Sequence, residues 1–189
     1  MATSLNNLAG LYESQGRYSE AEPLYQQALR MSQQLLGNDH PAVATILNNL
    51  AGLYCSQSRY GEAEPLYQQC LEIDRANHGN EHPDLAQILN NLALLYQSQG
   101  RYSEAEPFYQ QALALWQQLL GNDHPNVASG LNNLGMFYFE RSRLDKAKPL
   151  LEQSLEMRDR LLGPQHPDTI DTHQSLEDLR QAMAQQTNA

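Results

Sequence analysis

Two histidines four residues apart, as in His78-Gly79-Asn80-Glu81-His82, are a spacing at which imidazoles can share a metal ion. That works when both rings project from one helix face. Gly79, Asn80 and Pro83 instead place this segment in a turn, so the sequence predicts no metal site here. His40, His82, His124 and His166 each precede a proline at equivalent places in the chain. They are too far apart to share an ion. They read as helix-start signals, because proline suits a first helical position whose N–H has no partner anyway. Cys55 could be a reactive thiol, but no histidine stands near it on the same predicted face, and an acidic chain disfavours the thiolate. Cys70 falls where Ala28, Ala112 and Ser154 stand at equivalent positions, so it reads as packing. Glu20 with Glu22 recurs as Glu62 with Glu64 and Glu104 with Glu106 at helix starts, where the macrodipole favours carboxylates. These read as solvated caps rather than an acid/base pair. No Gly-rich phosphate loop is present, and no nucleophile has a base beside it. The expectation is a non-enzymatic chain with no catalytic residues, no metal and no cofactor.

The elements that carry these residues are set by a period. Asp39-His40-Pro41, Glu81-His82-Pro83, Asp123-His124-Pro125 and Gln165-His166-Pro167 recur every 42 residues, and 189 residues make 4.5 such units. A fixed period in the 20–50 range points to a stacked array in which each unit buries its apolar face against its neighbours. Residues 5–46 and 89–130 are identical at 33 of 42 positions, but 5–46 and 131–172 at only 17, so the array drifts toward its C-terminal end. All ten tyrosines fall at three repeat positions, as packing residues do. The net charge of −10 makes phosphate backbones and anionic lipid poor partners, so neither nucleic acid nor membrane is expected. Two cysteines without a pairing pattern fit a reducing, cytoplasmic setting. Met1-Ala2-Thr3-Ser4 has neither a basic nor an apolar leader region.

Each unit reads as two helices. In the second unit the first helix runs from about Pro41 to Gln57, with Leu47, Leu50, Ala51 and Tyr54 at spacings of three and four on one apolar stripe. Gln15-Gly16-Arg17 and its equivalents break the pattern. Ser19-Glu20-Ala21-Glu22 then fits a capping box, with Ser19 as N-cap and Pro23 at the edge of the first turn. Leu24, Ala28, Leu29, Leu35 and Leu36 continue a helical apolar face, and Gly37, Gly79, Gly121 and Gly163 end the second helices. Trp116 stands where other units carry Ser32, Asp74 and Arg158, so partial exposure is expected.

With these residues in place, the pattern Leu47…Leu50-Ala51…Tyr54…Tyr60…Ala63…Tyr67…Cys70 resembles the tetratricopeptide repeat, here lengthened to 42 residues. Leu47-Asn48-Asn49-Leu50-Ala51, Glu62-Ala63-Glu64-Pro65-Leu66-Tyr67 and Gly121-Asn122-Asp123-His124-Pro125 resemble the repeats of kinesin light chains. Similar arrays occur in bacterial multidomain proteins. The resemblance implies an all-α, right-handed superhelical solenoid of nine helices: four hairpins and a C-terminal capping helix. It implies units at about 1–40, 41–82, 83–124 and 125–166, with the cap at about 167–185, in one array over 1–189. It also implies binding of partner peptides in a concave groove formed by the first helices.

The inward-looking face follows from the 3.6-residue period once the Leu/Ala/Tyr stripe is assigned to packing. It carries Thr45, Asn48, Gly52 and Cys55 in the second unit, and Gln87, Asn90, Leu94 and Gln97 in the third. The fourth has Ser129, Asn132, Met136 and Phe139, and the first has Thr3, Asn6, Gly10 and Glu13. Asn6, Asn48, Asn90 and Asn132 form a ladder whose amides could satisfy a peptide backbone of any sequence. In kinesin light chains, asparagines at the matching position grip cargo backbone. The competing reading is an amide ladder between helices. Asn7, Asn49, Asn91 and Asn133 point toward the neighbouring unit, where a hydrogen bond would fix stacking. Kinesin light chains place basic residues around the groove; Glu13, Cys55, Gln97 and Phe139 stand here instead, and none is basic. Leu94, Met136 and Phe139 are expected to form an apolar patch suited to an aliphatic or aromatic anchor, or covered by the last helix.

The predicted function is a protein–protein interaction module that binds an extended peptide or partner helix in its groove. The alternative is a structural or sensor arm of a larger signalling protein. The first helix has lost its His-Pro start, so an array once longer than 4.5 units is the expectation at that end.

Overall fold

The computed structural model describes residues 1–187. Among these there are nine helices and no strand: α1 (Ala2–Ser14), α2 (Tyr18–Leu36), α3 (Pro41–Ser56), α4 (Tyr60–His78), α5 (Pro83–Ser98), α6 (Tyr102–Leu120), α7 (Pro125–Glu140), α8 (Leu144–Leu162) and α9 (Pro167–Thr187). The chain forms two compact units, Met1–Arg101 and the part from Tyr102 onward. In the first, α1 packs on α2 and α3 on α4, while α2 meets α3 and α4 meets α5. In the second, α7 packs on α8, flanked by α6 and α9.

The His-Pro pairs start helices by a direct mechanism. His40, His82, His124 and His166 each accept at Nδ1 a hydrogen bond from the backbone N–H two residues on, at 3.1, 3.3, 3.1 and 3.2 Å. This satisfies one of the orphan donors of a helix start. The turn between paired helices is equally regular. Gly16, Ser58, Gly100 and Ser142 take a left-handed conformation, with φ of 72°, 59°, 74° and 56°. The next residue, always arginine, donates its N–H back to the tyrosine five residues earlier, as in Arg17 to Tyr12 at 2.9 Å and Arg59 to Tyr54 at 2.8 Å. That geometry leaves Arg17 as the N-cap of α2, and no side chain caps the helix. Ser19 therefore does not cap α2 as the sequence suggested, because the left-handed turn delivers the chain to the helix two residues earlier. Pro23 consequently lies inside α2 rather than at the edge of its first turn.

Small residues let the paired helices approach. Ala9, Ala21, Ala51, Ala63, Ala93, Ala105 and Ala147 are all fully buried. The Leu47, Leu50, Ala51 and Tyr54 stripe is buried as the periodicity requires. Cys70 is buried and its thiol contacts the Ala44 carbonyl at 3.1 Å; its counterpart Ser154 donates to Ala128 at 2.7 Å. Both therefore tie a second helix to the first helix of its own repeat.

Two apolar expectations fail. Leu35 and Leu36 are 74% and 49% exposed, so the packing stripe of α2 stops at the buried Ser32 and its last turn runs free. Trp116 is not partly exposed but buried, at 1%. Its position faces the first helix of the next repeat, and Ser32, Asp74 and Arg158 are buried there too. Polar residue types at this position reflect the partner each one meets, not contact with water.

Candidate functional site: the inner face of α3 and α5

Thr45 and Asn48 on α3 and Gln87 on α5, three of the predicted groove residues, line one cavity of about 190 Å³. Pro41 and Ala44 complete the α3 side, Asp84 and Ile88 the α5 side, and Asp74 and His78 come from the end of α4. His82 caps α5 at the same end. Sequence reasoning missed the acidic wall. Its signal was present: Asp74 and His78 stand where the first repeat has Ser32 and Leu36.

The asparagines make a relay along this face. Asn49 donates from Nδ2 to Asn6 Oδ1 at 3.1 Å, and Asn91 donates to Asn48 Oδ1 at 2.9 Å. Gln87 in turn donates to Asn91 Oδ1 at 3.0 Å. In the second unit the acceptor Asn132 Oδ1 receives a bond from Thr172 on α9 at 3.1 Å. The stacking role expected of Asn49 and Asn91 is thus present, and the ladder residues Asn6, Asn48 and Asn132 are its acceptors. Asn48 is half-buried, and its Nδ2 has no hydrogen-bond partner among the described residues. Asn90 is buried, at 4% exposed.

The remaining groove positions vary in access. Thr45 and Gln87 are exposed, and Leu94 is 41% exposed. Gln97, Met136 and Phe139 are half-buried. Glu13 is held by the Tyr25 hydroxyl at 2.7 Å, and the burial of Tyr25 together with that carboxylate pushes the phenol pKa up. Burial likewise raises the Cys55 thiol, partly offset by the Tyr67 hydroxyl, and raises Cys70 to about 12. Desolvation thus disfavours the Cys55 thiolate, in the same direction as the acidic composition suggested.

Carboxylates on the second helices serve stacking rather than solvation alone. Glu22 on α2 accepts from Arg59 at 2.7 Å and from the Tyr54 hydroxyl at 3.1 Å, while the Arg59 guanidinium sits 4.1 Å from the Tyr54 ring centre. Glu64 with Arg101 and Glu106 with Arg143 repeat the pairing, both at 2.8 Å. Glu20 is different: it pairs with Arg17 on the surface at 2.7 Å. The expectation of solvated caps fits Glu20 and fails for Glu22, because the turn arginine of the next repeat reaches across to it. Among the described residues no helix is long and apolar enough to cross a membrane.

These features can be set beside known proteins. The family model for the tetratricopeptide repeat matches residues 1–76, 43–118, 84–135 and 126–189. The crystal structure of BtubC (BKLC) from P. vanneervenii is similar at 32% identity and a TM-score of 0.83, over 95% of this chain and 72% of that one. A kinesin light chain-like protein of nearly identical TPR-like repeats from Podosopora anserina is similar at 26% identity and a TM-score of 0.79, over 98% of this chain and 88% of that one. A comparison with curated proteins gave no match. Repeats of this type serve as protein-interaction scaffolds. With an all-α repeat fold, capped hairpins and a family match running from end to end, the chain belongs to the tetratricopeptide repeat family, of the kinesin light chain-like type.

Proposed function

We propose that the chain is a non-enzymatic interaction module whose first helices take up an extended peptide or a partner helix along their inner face. The observation that carries this reading is the cavity between α3 and α5, where Thr45, Asn48 and Gln87 converge and Asn48 Nδ2 is left as a donor. An extended backbone brings carbonyls that such a donor satisfies, whatever the side chains. Asn6 takes the equivalent place on α1 and Asn132 does so on α7, while the matching Asn90 on α5 is buried. Within the first compact unit Leu94 and Gln97 on α5, and within the second by itself Met136 and Phe139 on α7, would supply apolar and polar contacts to ligand side chains. The partner is a protein rather than nucleic acid, since a charge of −10 repels phosphate.

The test is a random-peptide selection on the whole chain, followed by binding to a Thr45→Trp variant. Thr45 is exposed at the cavity mouth, so an indole there fills the cavity without entering the core. Selected peptides should lose at least tenfold in affinity while the melting temperature stays unchanged. Equal binding to the variant would overturn the inner-face reading.

A further inference from the structure

The end of α4 gathers three side chains able to ligate a metal, one of which also caps α5. Asp74 and His78 lie one helical turn apart on α4, and His82 stands at the start of α5. His78 Nδ1 is 3.0 Å and His82 Nδ1 3.8 Å from the same oxygen, Asp74 Oδ1. One ligand atom from each of the three residues lies within 4.8 Å of the others. The two imidazoles stack, with ring centres 4.2 Å apart and planes at 17°. The turn at Gly79 and Asn80, which seemed to exclude a metal, does not separate the rings: α4 runs on to His78, and the chain folds back to set His82 against it.

An independent observation points to a missing ligand. Asp74 is 5% exposed, lines the cavity, and its Oδ2 is buried with no hydrogen-bond partner. A buried carboxylate oxygen left unsatisfied is unfavourable unless a cation or donor meets it. Other repeats carry other residues at two of these positions. Ser32 takes the place of Asp74 in the first repeat, and Leu36, Leu120 and Leu162 take the place of His78 in the other three. Two departures from the repeat pattern, one turn apart, have brought a carboxylate and an imidazole to a histidine that was already there.

We propose that Asp74, His78 and His82 form a binding site for a divalent transition-metal ion of the zinc class. Two imidazoles and one carboxylate, with the fourth position open, are a ligand set zinc favours. Ligand atoms on a tetrahedral zinc with bonds of about 2.0–2.1 Å stand about 3.3 Å apart, between the two Nδ1 to Oδ1 separations seen here. The Asp84 carboxylate, 3.7 Å from His82 Nδ1, is within reach as a further oxygen donor. Binding through His82 Nδ1 gives up its bond to the Asp84 N–H, which at 3.3 Å is the longest of the four histidine caps. His78 and His82 are each about one-third exposed, so an ion can enter from solvent. Because Asp74 and His78 also line the cavity, the ion would place positive charge at the edge of an otherwise acidic inner face.

The test uses the whole chain, stripped with a chelator, and zinc chloride alone, so it does not depend on any peptide ligand. Calorimetric titration should show one ion per chain. Affinity should fall at least tenfold in Asp74→Ser and in His78→Leu, each carrying a residue the chain itself uses at that position, with helicity unchanged. His78→Gln should give the same loss and serves if His78→Leu folds poorly. Cobalt(II) in place of zinc should give visible bands of a nitrogen/oxygen site without a thiolate charge-transfer band. Absence of stoichiometric binding, equal affinity in the variants, or a thiolate band implicating Cys55 or Cys70 would each overturn the proposal.

Discussion

Trp116 and Gly130 share one volume: a Cβ built on Gly130 would stand 3.1 Å from both Cε3 and Cζ3 of the indole. The equivalents of Gly130 in the second and third repeats are Ile46 and Ile88, and neither faces a tryptophan. Loss of the isoleucine side chain on α7 is matched by the gain of an indole on α6. The fourth repeat makes a second exchange of this kind. Gly135 replaces the alanine of Ala51 and Ala93, and a Cβ there would come within 2.9 Å of Leu151, which itself replaces a tyrosine.

Restoring only one side of such an exchange should be costly. Gly130→Ile forces atoms onto a rigid ring, and overpacking of this kind costs about 1–3 kcal/mol, more than the gain in helix propensity returns. Trp116→Ser alone leaves a cavity and should cost about 3–5 kcal/mol. The double variant recreates the Ser32 and Ile46 combination found between the first and second repeats and should recover much of the loss. Urea denaturation of all four proteins measures the coupling; purely additive effects would show that the two positions do not share space.

Much of this was legible from the 42-residue period. It placed the helices, the buried alanine and leucine stripe, the C-terminal glycines, and Thr45, Asn48 and Gln87, which line one cavity. What it could not give is the identity of cross-repeat partners. Trp116 was misjudged because residue types at one position were compared without the residue each one meets on the next helix. Ser19 was misjudged because a left-handed residue at Gly16 makes Arg17 the cap, which no capping pattern in the sequence reveals. The Asp74, His78 and His82 grouping was missed because the turn after Gly79 brings His82 back onto His78, and because Asp74 is buried beside them at a position expected to be partly exposed. The acceptor role of Asn6 depends on a bond spanning one repeat plus one residue, from Asn49, which appears only when the helices are stacked.

The helix-pair turns offer a stabilising change. Ser58 and Ser142 sit at φ of 59° and 56°, where Gly16 and Gly100 serve in the alternate repeats. A side chain in this region costs about 1–2 kcal/mol, against which glycine carries a larger entropy loss on folding. Ser58→Gly and Ser142→Gly should each raise stability by about 0.5–1 kcal/mol, read as a higher urea midpoint with unchanged slope. A lower midpoint would show that the serine side chain holds the turn.

The Glu22 pair sets an acid limb. The Arg59 guanidinium, against the opposing effect of burial, holds the Glu22 carboxyl below its ordinary value. Its contribution is therefore full above the unfolded value near ~4.3 and is lost as pH falls through the lower folded value. Glu22→Gln should cost about 0.5–1 kcal/mol at neutral pH, and the difference from the native chain should shrink as the pH falls below about 4. Thermal melts at pH 7 and pH 3 measure it; a difference that grows in acid would contradict the pairing.

Asn48 has to be tested in a way that separates its two bonds. Replacing it with leucine would remove the acceptor of Asn91 along with the groove donor, so a loss of binding could reflect loosened stacking. Asn48→Asp keeps an acceptor oxygen for Asn91 and replaces the Nδ2 donor with a carboxylate oxygen, which repels a peptide carbonyl and adds charge to a cavity lined by Asp74 and Asp84. It should lower stability by about 1 kcal/mol through its closeness to the two aspartates while weakening selected peptides at least tenfold, since one hydrogen bond to a peptide carbonyl of about 1.4 kcal/mol is lost and a repulsion is added. Asn49→Ala makes the opposite cut: it removes the donor to Asn6 and should lower stability by about 1–2 kcal/mol. Because Asn49 is not among the residues lining the cavity, peptide affinity at temperatures below the melt should stay within about twofold. Melting curves and peptide titrations on the two variants give the four readings. If Asn48→Asp leaves peptide affinity intact, the ladder is a stacking device alone and the inner face recognises its partner without it.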